Sequence, residues 1–274
     1  MSSLVALLDR QVDALGPLRY LVYAFLILVM ILISKRKRFL TTSGLIAAAI
    51  CGFMNLYIGG FSSFVILLFF FLAGSVLSKA MKREIKSEKK GCERDATQVL
   101  ANCIASLFAL FLYKLTPYKE AALIAYASSL AEALSDTFSG DFGMLSDRDP
   151  VSIVTFTKVP KGISGGVTML GFMGGLLGSF LIALLYEGTY QPSFFSLFLI
   201  TISGFLGSVL DSLLGAVLQV HYRDRDGLLT EKDHDENGPF ERARGVPFID
   251  NDMVNFLSSL FSFSISFFIA SIVI

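Results

Sequence analysis

Long apolar runs recur from one end of the chain to the other, separated by very short connections or by a few strongly polar loops. A run of about 20 mostly apolar residues crosses the roughly 30 Å of hydrocarbon in a bilayer. Within that hydrocarbon the backbone must satisfy its own hydrogen bonds, which long continuous runs do as helices. Eight segments come near the required length: Leu18–Ser34, Leu40–Ile58, Phe61–Ser78, Thr97–Leu115, Tyr118–Leu134, Val167–Tyr186, Phe194–Val220 and Met253–Ile274. The chain therefore reads as an all-α polytopic membrane protein of about eight transmembrane helices, one integral domain over residues 1–274. Helices over 18–78 read as peripheral, and the chemically interesting helices and loops lie over 94–274. The beginning lacks a basic region followed by a short apolar core and a small-residue site, so no cleavable signal peptide is expected. The first run is long enough to stay as an anchor.

Composition agrees. Hydrophobic residues make up 54% and charged residues 17%, with a mean hydropathy of +0.65, where a soluble domain carries about 25% charge. A net charge of zero with scattered basic residues gives no footprint for nucleic acid. The cysteines, Cys51, Cys92 and Cys103, have neither metal-ligand nor disulfide spacing and read as packing or loop residues.

Orientation follows from charge. Of the 23 Lys and Arg, all but Arg10, Arg19, Lys114 and Lys119 fall in the loops after spans one, three, five and seven. Positive-inside bias puts those loops in the cytoplasm and both termini on the other side. In a eukaryotic cell the membrane would be that of the endoplasmic reticulum or another endomembrane.

Spans one and three, especially Phe64 to Leu72, carry no strongly polar residue and are expected to face lipid. Four others carry polar stripes at helical spacing: Gln98 and Asn102; Ser128, Glu132 and Asp136; Gly204, Gly207, Ser208, Asp211 and Gly215; Asn251, Asn255, Ser258 or Ser259, and Ser262. Residues three and four apart share a face, so each stripe must point at protein or water. Span six, with Gly171/Gly175 and Gly174/Gly178, reads as a small-residue packing face. The carboxylates differ, because a charge within a membrane helix costs at least about 2.5 kcal/mol and usually marks function or a specific partner. Glu132, Asp136 and Asp211 lie toward the cytoplasmic ends of their helices, beside two long polar loops.

The first of those loops opens on Ser135-Asp136-Thr137-Phe138-Ser139-Gly140-Asp141, an oxygen-rich set suited to Mg²⁺. It ends on Lys158-Val159-Pro160-Lys161-Gly162-Ile163-Ser164-Gly165-Gly166, which runs into span six. Glycines before a helix start let backbone N–H groups approach an anion, and Lys158 and Lys161 add charge. The last loop, 221–252, is very polar and expected to be partly mobile. Its Asp250 and Asp252 read equally as metal ligands or as N-caps of the final helix. His221 and His234 are expected to be solvated. The basic stretch from Lys79 to Arg94 reads as a solvated loop, with Arg94 at the mouth of span four as a phosphate contact.

These pieces together resemble the transmembrane protein 19-like integral membrane family, or domain of unknown function 92, which includes plant phytyl-phosphate kinase. The resemblance rests on Ser135-Asp136-Thr137 through Gly143, Lys158-Val159 with Gly162 to Val167, and Asp211 to Ala216 with Gln219. Asp250-Asn251 with Val254-Asn255, and Arg94-Asp95-Ala96 with Gln98, Val99 and Asn102, complete it. Where the family usually has Trp and Glu this chain has Phe138 and Asp141, and where the family has Thr-Asn it has Ile163-Ser164. Asp141 keeps a charge on a shorter arm, and Ile163 removes a hydroxyl.

The resemblance implies phosphoryl transfer from a nucleoside triphosphate, CTP or ATP, to a prenyl monophosphate lipid, giving a prenyl diphosphate. On this reading Asp136, Asp141 and Asp211 hold Mg²⁺, supported by Glu132, and Asp136, Asp211 and Lys158 are the catalytic groups. Lys158, Lys161, Gly162, Ser164, Gly165, Gly166 and Arg94 bind phosphates, Asn102, Asn251 and Asn255 position the acceptor, and the lipid tail lies among spans four to eight. Positioning and charge neutralisation supply most of such catalysis. The rivals are a transporter of a small anionic or lipid substrate, a CDP-lipid-forming cytidylyltransferase with the same metal and phosphate groups, and a membrane scaffold. Transporters favour inverted repeats and midplane sites, neither of which the sequence suggests.

Overall fold

A computed structural model describes residues 4–84, 93–190 and 193–274. Cys92 and most of the basic stretch before Arg94, including Lys86, Lys89 and Lys90, lie outside the described residues. The chain is mostly helical: α1 (Leu4–Ala14), α2 (Arg19–Lys37), α3 (Thr42–Glu84), α4 (Ala96–Leu115), α5 (Lys119–Met144), α6 (Met169–Thr189), α7 (Phe194–Val217) and α8 (Asn251–Val273).

The long α3 is two runs, not one rod. At Gly60 the backbone takes φ 77°, ψ −171°, open to glycine without penalty, and the chain folds back. The Ser63 hydroxyl donates to the Asn55 side-chain oxygen over 2.8 Å, whereas eight residues of straight helix span about 12 Å. Tyr126 of α5 locks the corner, donating to the Ser63 carbonyl over 2.7 Å and accepting from the Asn55 amide over 3.0 Å. The freed N–H groups of Phe61 and Ser62 donate to the Asp9 carboxylate, at 2.9 and 3.2 Å, so α1 caps the second run. Six helices among the described residues are long and apolar enough to cross a membrane. Reaching eight requires counting α3 twice and adding α5, which is not among those six.

That polar α5 is the centre of the molecule: every residue from Ala121 to Ser135 is buried. Its Ala and Ser side chains let neighbours approach closely, and α6 answers with glycines. A Cβ at Gly178 would lie 2.8 Å from the Leu134 carbonyl oxygen, and one at Gly174 the same distance from that of Phe138. The packing role read for span six is what these distances describe. Span three, expected to face lipid, does not: Phe64, Ile66, Leu67, Phe70 and Phe71 are all buried. A helix apolar on every face suits a core as well as a bilayer, and here it is enclosed by α2, α4 and α5. Span one fits its expectation better, with Leu21, Phe25, Leu28 and Leu32 exposed.

The loops at the charged face are folded. Val151–Ser152 (β1) pairs with Gly166–Val167 (β2). The stretch expected to be partly mobile forms a sheet ordered β4-β3-β7, from His221–Arg223 (β3), Leu229–Thr230 (β4) and Glu241–Arg244 (β7), with a hairpin of His234–Asp235 (β5) and Gly238–Pro239 (β6). The Asp224 side chain closes the β3–β4 turn, accepting from the Asp226 and Leu228 N–H groups at 3.0 and 2.8 Å. Side-chain turn chemistry of this kind gives a charged loop a fixed shape that hydropathy does not register.

Candidate active site at the loop face

Three helices bring the intramembrane acids together. Glu132 and Asp136 stand one turn apart on α5, and Asp211 faces them from α7. The α8 stripe supplies hydroxyls: Ser258 donates to Asp211 over 3.0 Å, Ser259 donates to Glu132, and Ser262 donates to the Ser203 carbonyl over 2.9 Å. Gly207 makes room for this, since a Cβ there would run into the Glu132 stem and the Ser262 hydroxyl. Glu132 is 1% exposed, and its second carboxyl oxygen has no partner among the described residues. Asp136 lies within Coulombic reach of Asp141, Arg94 and Glu231, and Asp211 within reach of Asp136, Glu132 and Glu231.

The glycine-rich loop docks on the loop-side end of α7. Gly165, at φ 84°, lies so close to Ala216 that no side chain would fit, and Ser164 sits over Gly215. The Ser164 hydroxyl donates to Glu231 of the last loop, which ties the two loops together. Not all the loop's donors are available, because Gly166 N–H already donates to the Ile163 carbonyl over 3.1 Å. Thr168, not the glycines, caps α6, accepting from Gly171 N–H over 3.0 Å. Lys161 donates to the Ser146 carbonyl over 2.5 Å. Lys158 is exposed and pairs with Asp149 at 3.0 Å, so it is not brought to the carboxylates.

On the opposite flank stands Arg94. Its N–H donates to the Phe39 carbonyl over 3.0 Å, and its carbonyl accepts from Thr41 N–H over 3.1 Å. This pins the start of α4 to the α2–α3 connection. The guanidinium reaches past Gly74 of α3 toward Thr137 and Leu134 of α5. Burial pulls its pKa down, against the opposing pull of nearby Asp141. Ser78 of α3 donates to Asp141 over 2.6 Å. Asp95 caps α4 in a reciprocal box with Gln98, and Asn102 donates to the Gln98 carbonyl over 3.0 Å. Asn251 and Asn255 are half-buried at the loop end of α8. Between the two readings of Asp250 the structure gives the cap: it accepts from Met253 N–H over 2.9 Å.

Sequence reasoning missed Glu231, an ordinary acid in a charged loop with no local signal. It also placed His221 in solvent, whereas His221 is fully buried and only His234 is exposed. His221 sits where β3 leaves α7, and its Nδ1 lies 2.9 Å from the Gln219 carbonyl. A carbonyl only accepts, so Nδ1 carries the proton and Nε2 presents a lone pair, without a partner among the described residues. Burial lowers the imidazole pKa.

Hard carboxylate oxygens suit Mg²⁺, and the unpartnered Glu132 oxygen adds to that donor set. Among the described residues no three His, Cys, Asp or Glu side chains close into a metal cage. Mg²⁺ commonly takes only one or two carboxylates and completes its shell with water and substrate phosphates, which the Asp136–Asp211 pair can accommodate.

Comparison with known proteins places these features in a family context. Residues 25–263 match the family described as Integral membrane protein DUF92. An uncharacterized membrane protein of Methanocaldococcus jannaschii is 37% identical over 229 residues, covering 81% of this chain and 91% of its own. Protein PGR of Arabidopsis thaliana is 34% identical over 261 residues, covering 83% and 88%. Protein VTE6, chloroplastic, from the same plant is 24% identical over 152 residues, covering 53% and 46%. No solved structure matches the chain.

Proposed function

Because the chain belongs to the DUF92 integral membrane family, we propose that it is a prenyl-phosphate kinase with its active site at the cytoplasmic membrane face. The observation that carries this reading is the junction at Asp136. Arg94, Asp141 and Glu231 all lie within Coulombic reach of Asp136, and Glu231, which accepts from Ser164 of the glycine-rich loop, is also within reach of Asp211. That arrangement suits two phosphate-bearing substrates meeting at shared acids.

In the reaction, an oxygen of the prenyl monophosphate attacks the terminal phosphorus of the nucleoside triphosphate. The bond to the bridging oxygen breaks, and the nucleoside diphosphate leaves. A phosphomonoester with a second pKa near 6 already presents an anionic oxygen at pH 7, so no general base is required. Asp136 and Asp211 would hold Mg²⁺, with Asp141 and Glu132 in support; bound there, the ion would neutralise phosphate charge. Arg94 holds the acceptor phosphate, with Asn102, Asn251 and Asn255 positioning the acceptor. Ser164, Lys161 and the remaining N–H groups of the Gly162–Gly166 loop hold the donor. Lys158, tied to Asp149 in solvent, is left out.

Purified protein incubated with geranylgeranyl or phytyl monophosphate, Mg²⁺ and CTP or ATP should yield the prenyl diphosphate, identified by mass. A CDP-lipid with release of pyrophosphate would replace the kinase by a cytidylyltransferase, and faster conversion of the free alcohol would overturn the acceptor. For orientation, single cysteines at Asp147 and Glu236 should react with an impermeant thiol reagent only from the cytoplasm. One at Gly188 should react only from the other side, and labelling of all three from one face would refute the topology.

A further inference from the structure

An apolar space lies outside the acidic bundle. A cavity opens between α2, α3 and α4, walled by Met30, Phe64, Leu67, Phe70, Phe71 and Val99 among others, with Cys51 and Cys103 in its lining. Its polar members are Arg94, Gln98 and Asn102. A second space shares Arg94 and is otherwise lined by Arg38, Phe39, Ser75, Ser78 and Lys79. One space is greasy and the other cationic, and the same guanidinium forms part of both.

We propose that these two spaces are one binding site for a single-chain lipid phosphomonoester. The tail lies in the α2–α3–α4 cavity, and the phosphate is held by Arg94, Arg38, Lys79, Ser75 and Ser78. This rests on the kinase reading above and names the place of its acceptor. It also moves the tail away from spans four to eight, where the sequence had put it.

Four observations carry it. The first space is walled almost wholly by apolar side chains, and an apolar chain is the occupant such walls favour. Ser75 is 7% exposed and its hydroxyl has no partner among the described residues, while it lines the cationic space, where a phosphate oxygen would accept from it. Arg38 and Lys79 form no ion pair among the described residues. Lys79 spends one N–H on the Lys37 carbonyl at 2.6 Å and lies over the Phe39 ring, leaving further donors. Finally, Arg94 and Ser78 both adjoin Asp141, so a phosphate between them stands next to the acids expected to hold the metal. Ala48, Leu68 and Asn102 are only half-buried, so the cavity is not sealed.

The test uses the whole chain in nanodiscs with EDTA and no nucleotide, so that turnover plays no part. A geranylgeranyl monophosphate carrying a diazirine at its tail end is photolysed and the labelled peptides are mapped by mass. Label should fall on 64–71 of α3 and 98–103 of α4. Label confined to α6, α7 or α8 overturns the site. Separately, Arg38→Gln and Lys79→Gln should each weaken binding of the monophosphate by about tenfold, the scale of one charge-assisted contact, and leave binding of geranylgeraniol unchanged. Equal loss for lipid and alcohol overturns the headgroup assignment. Inorganic phosphate should compete at least 100-fold more weakly than the lipid. Competition on equal terms would mean a free-phosphate site and overturn the lipid. Label on α3 and α4 without any phosphoryl transfer would keep this site and remove the kinase; transfer with label elsewhere would do the reverse.

Discussion

Around α5 the helices meet through glycine, alanine and serine: Gly174 and Gly178 against the α5 carbonyls, Gly204 against Ala131, Gly207 against Glu132. Between α2, α3 and α4 the surfaces are Met30, Phe64, Phe70, Phe71 and Val99, bulky groups that line a cavity. The first region has little spare volume and encloses carboxylates; the second encloses a cavity and is bordered by cations. Close backbone approach fixes Glu132, Asp136 and Asp211 in place, because small residues leave the neighbouring helix nowhere to shift. Large rings do not interdigitate so completely, and the space they leave is what a flexible hydrocarbon chain needs. The two regions meet at Arg94, Thr137 and Asp141.

The sharpest way to test this division is to remove charge from the packed side. Asp136→Asn and Asp211→Asn keep the shape of their side chains and should each lower turnover by about 10²-fold or more, the usual cost of losing an electrostatic contributor to a transition state. Lipid-phosphate crosslinking to α3 and α4 should persist in both variants. Full activity in Asp136→Asn would show that the acids serve packing alone. Loss of crosslinking along with activity would erase the distinction between the regions.

A second test adds volume. Gly207→Val puts two methyl groups where Glu132 and Ser262 already sit, and overpacking of this kind costs about 1–3 kcal/mol. Gly188 has open space where a Cβ would go, so Gly188→Ala should be neutral or slightly stabilising. Denaturation of both in one detergent would measure the contrast. A Gly207→Val protein as stable as the parent would mean that the α5–α7 contact is looser than the distances say.

Much of this was legible in the sequence, for identifiable reasons. Membrane helices follow from hydrophobic length, and the Gly59-Gly60 break was visible because glycine alone separated two apolar runs. The acidic stripe could be read because Glu132, Asp136 and Asp211 each fall on a face with small polar residues at helical spacing. What could not be read was whatever depends on which apolar face meets which. Phe64 to Phe71 carry no polar residue to orient them, so lipid and core looked alike, and the cavity they line was invisible. Glu231 and His221 escaped for a different reason. Both sit in a charged loop whose shape comes from side-chain turns such as Asp224, and neither burial nor proximity to Asp211 has a local sequence signal. Lys158 shows the limit of spacing alone: it stands before the glycines, and the structure pairs it with Asp149 at the surface.

The smallest expected effect concerns how each region fixes the helix that borders it. Asp95 starts α4 beside the cavity and Asp250 starts α8 beside the acids, and each accepts a backbone N–H as an N-cap. Replacing either by Ala should cost about 1 kcal/mol. Only Asp95 adds a reciprocal Gln98 contact and a Thr97 hydroxyl at 2.7 Å, and it adjoins Arg94. Bonds from the Gln98 N–H and then from Thr97 hold its carboxyl below the ordinary 3.8. The sign follows from that depression: the charged cap contributes its full stability above pH 3.8 and loses it as the pH falls through the lower, folded-state value. Asp95→Ala should therefore be destabilised by its full amount at pH 7 and approach the parent at the acid end. Asp95→Asn keeps the cap acceptor, so it should stay near parental stability at pH 7 and lack the acid-side dependence. Melting temperatures of the three proteins between pH 3 and pH 7 would decide it. An Asp95→Ala deficit that stays constant across that range would mean that the charge contributes nothing to holding α4 against the cavity.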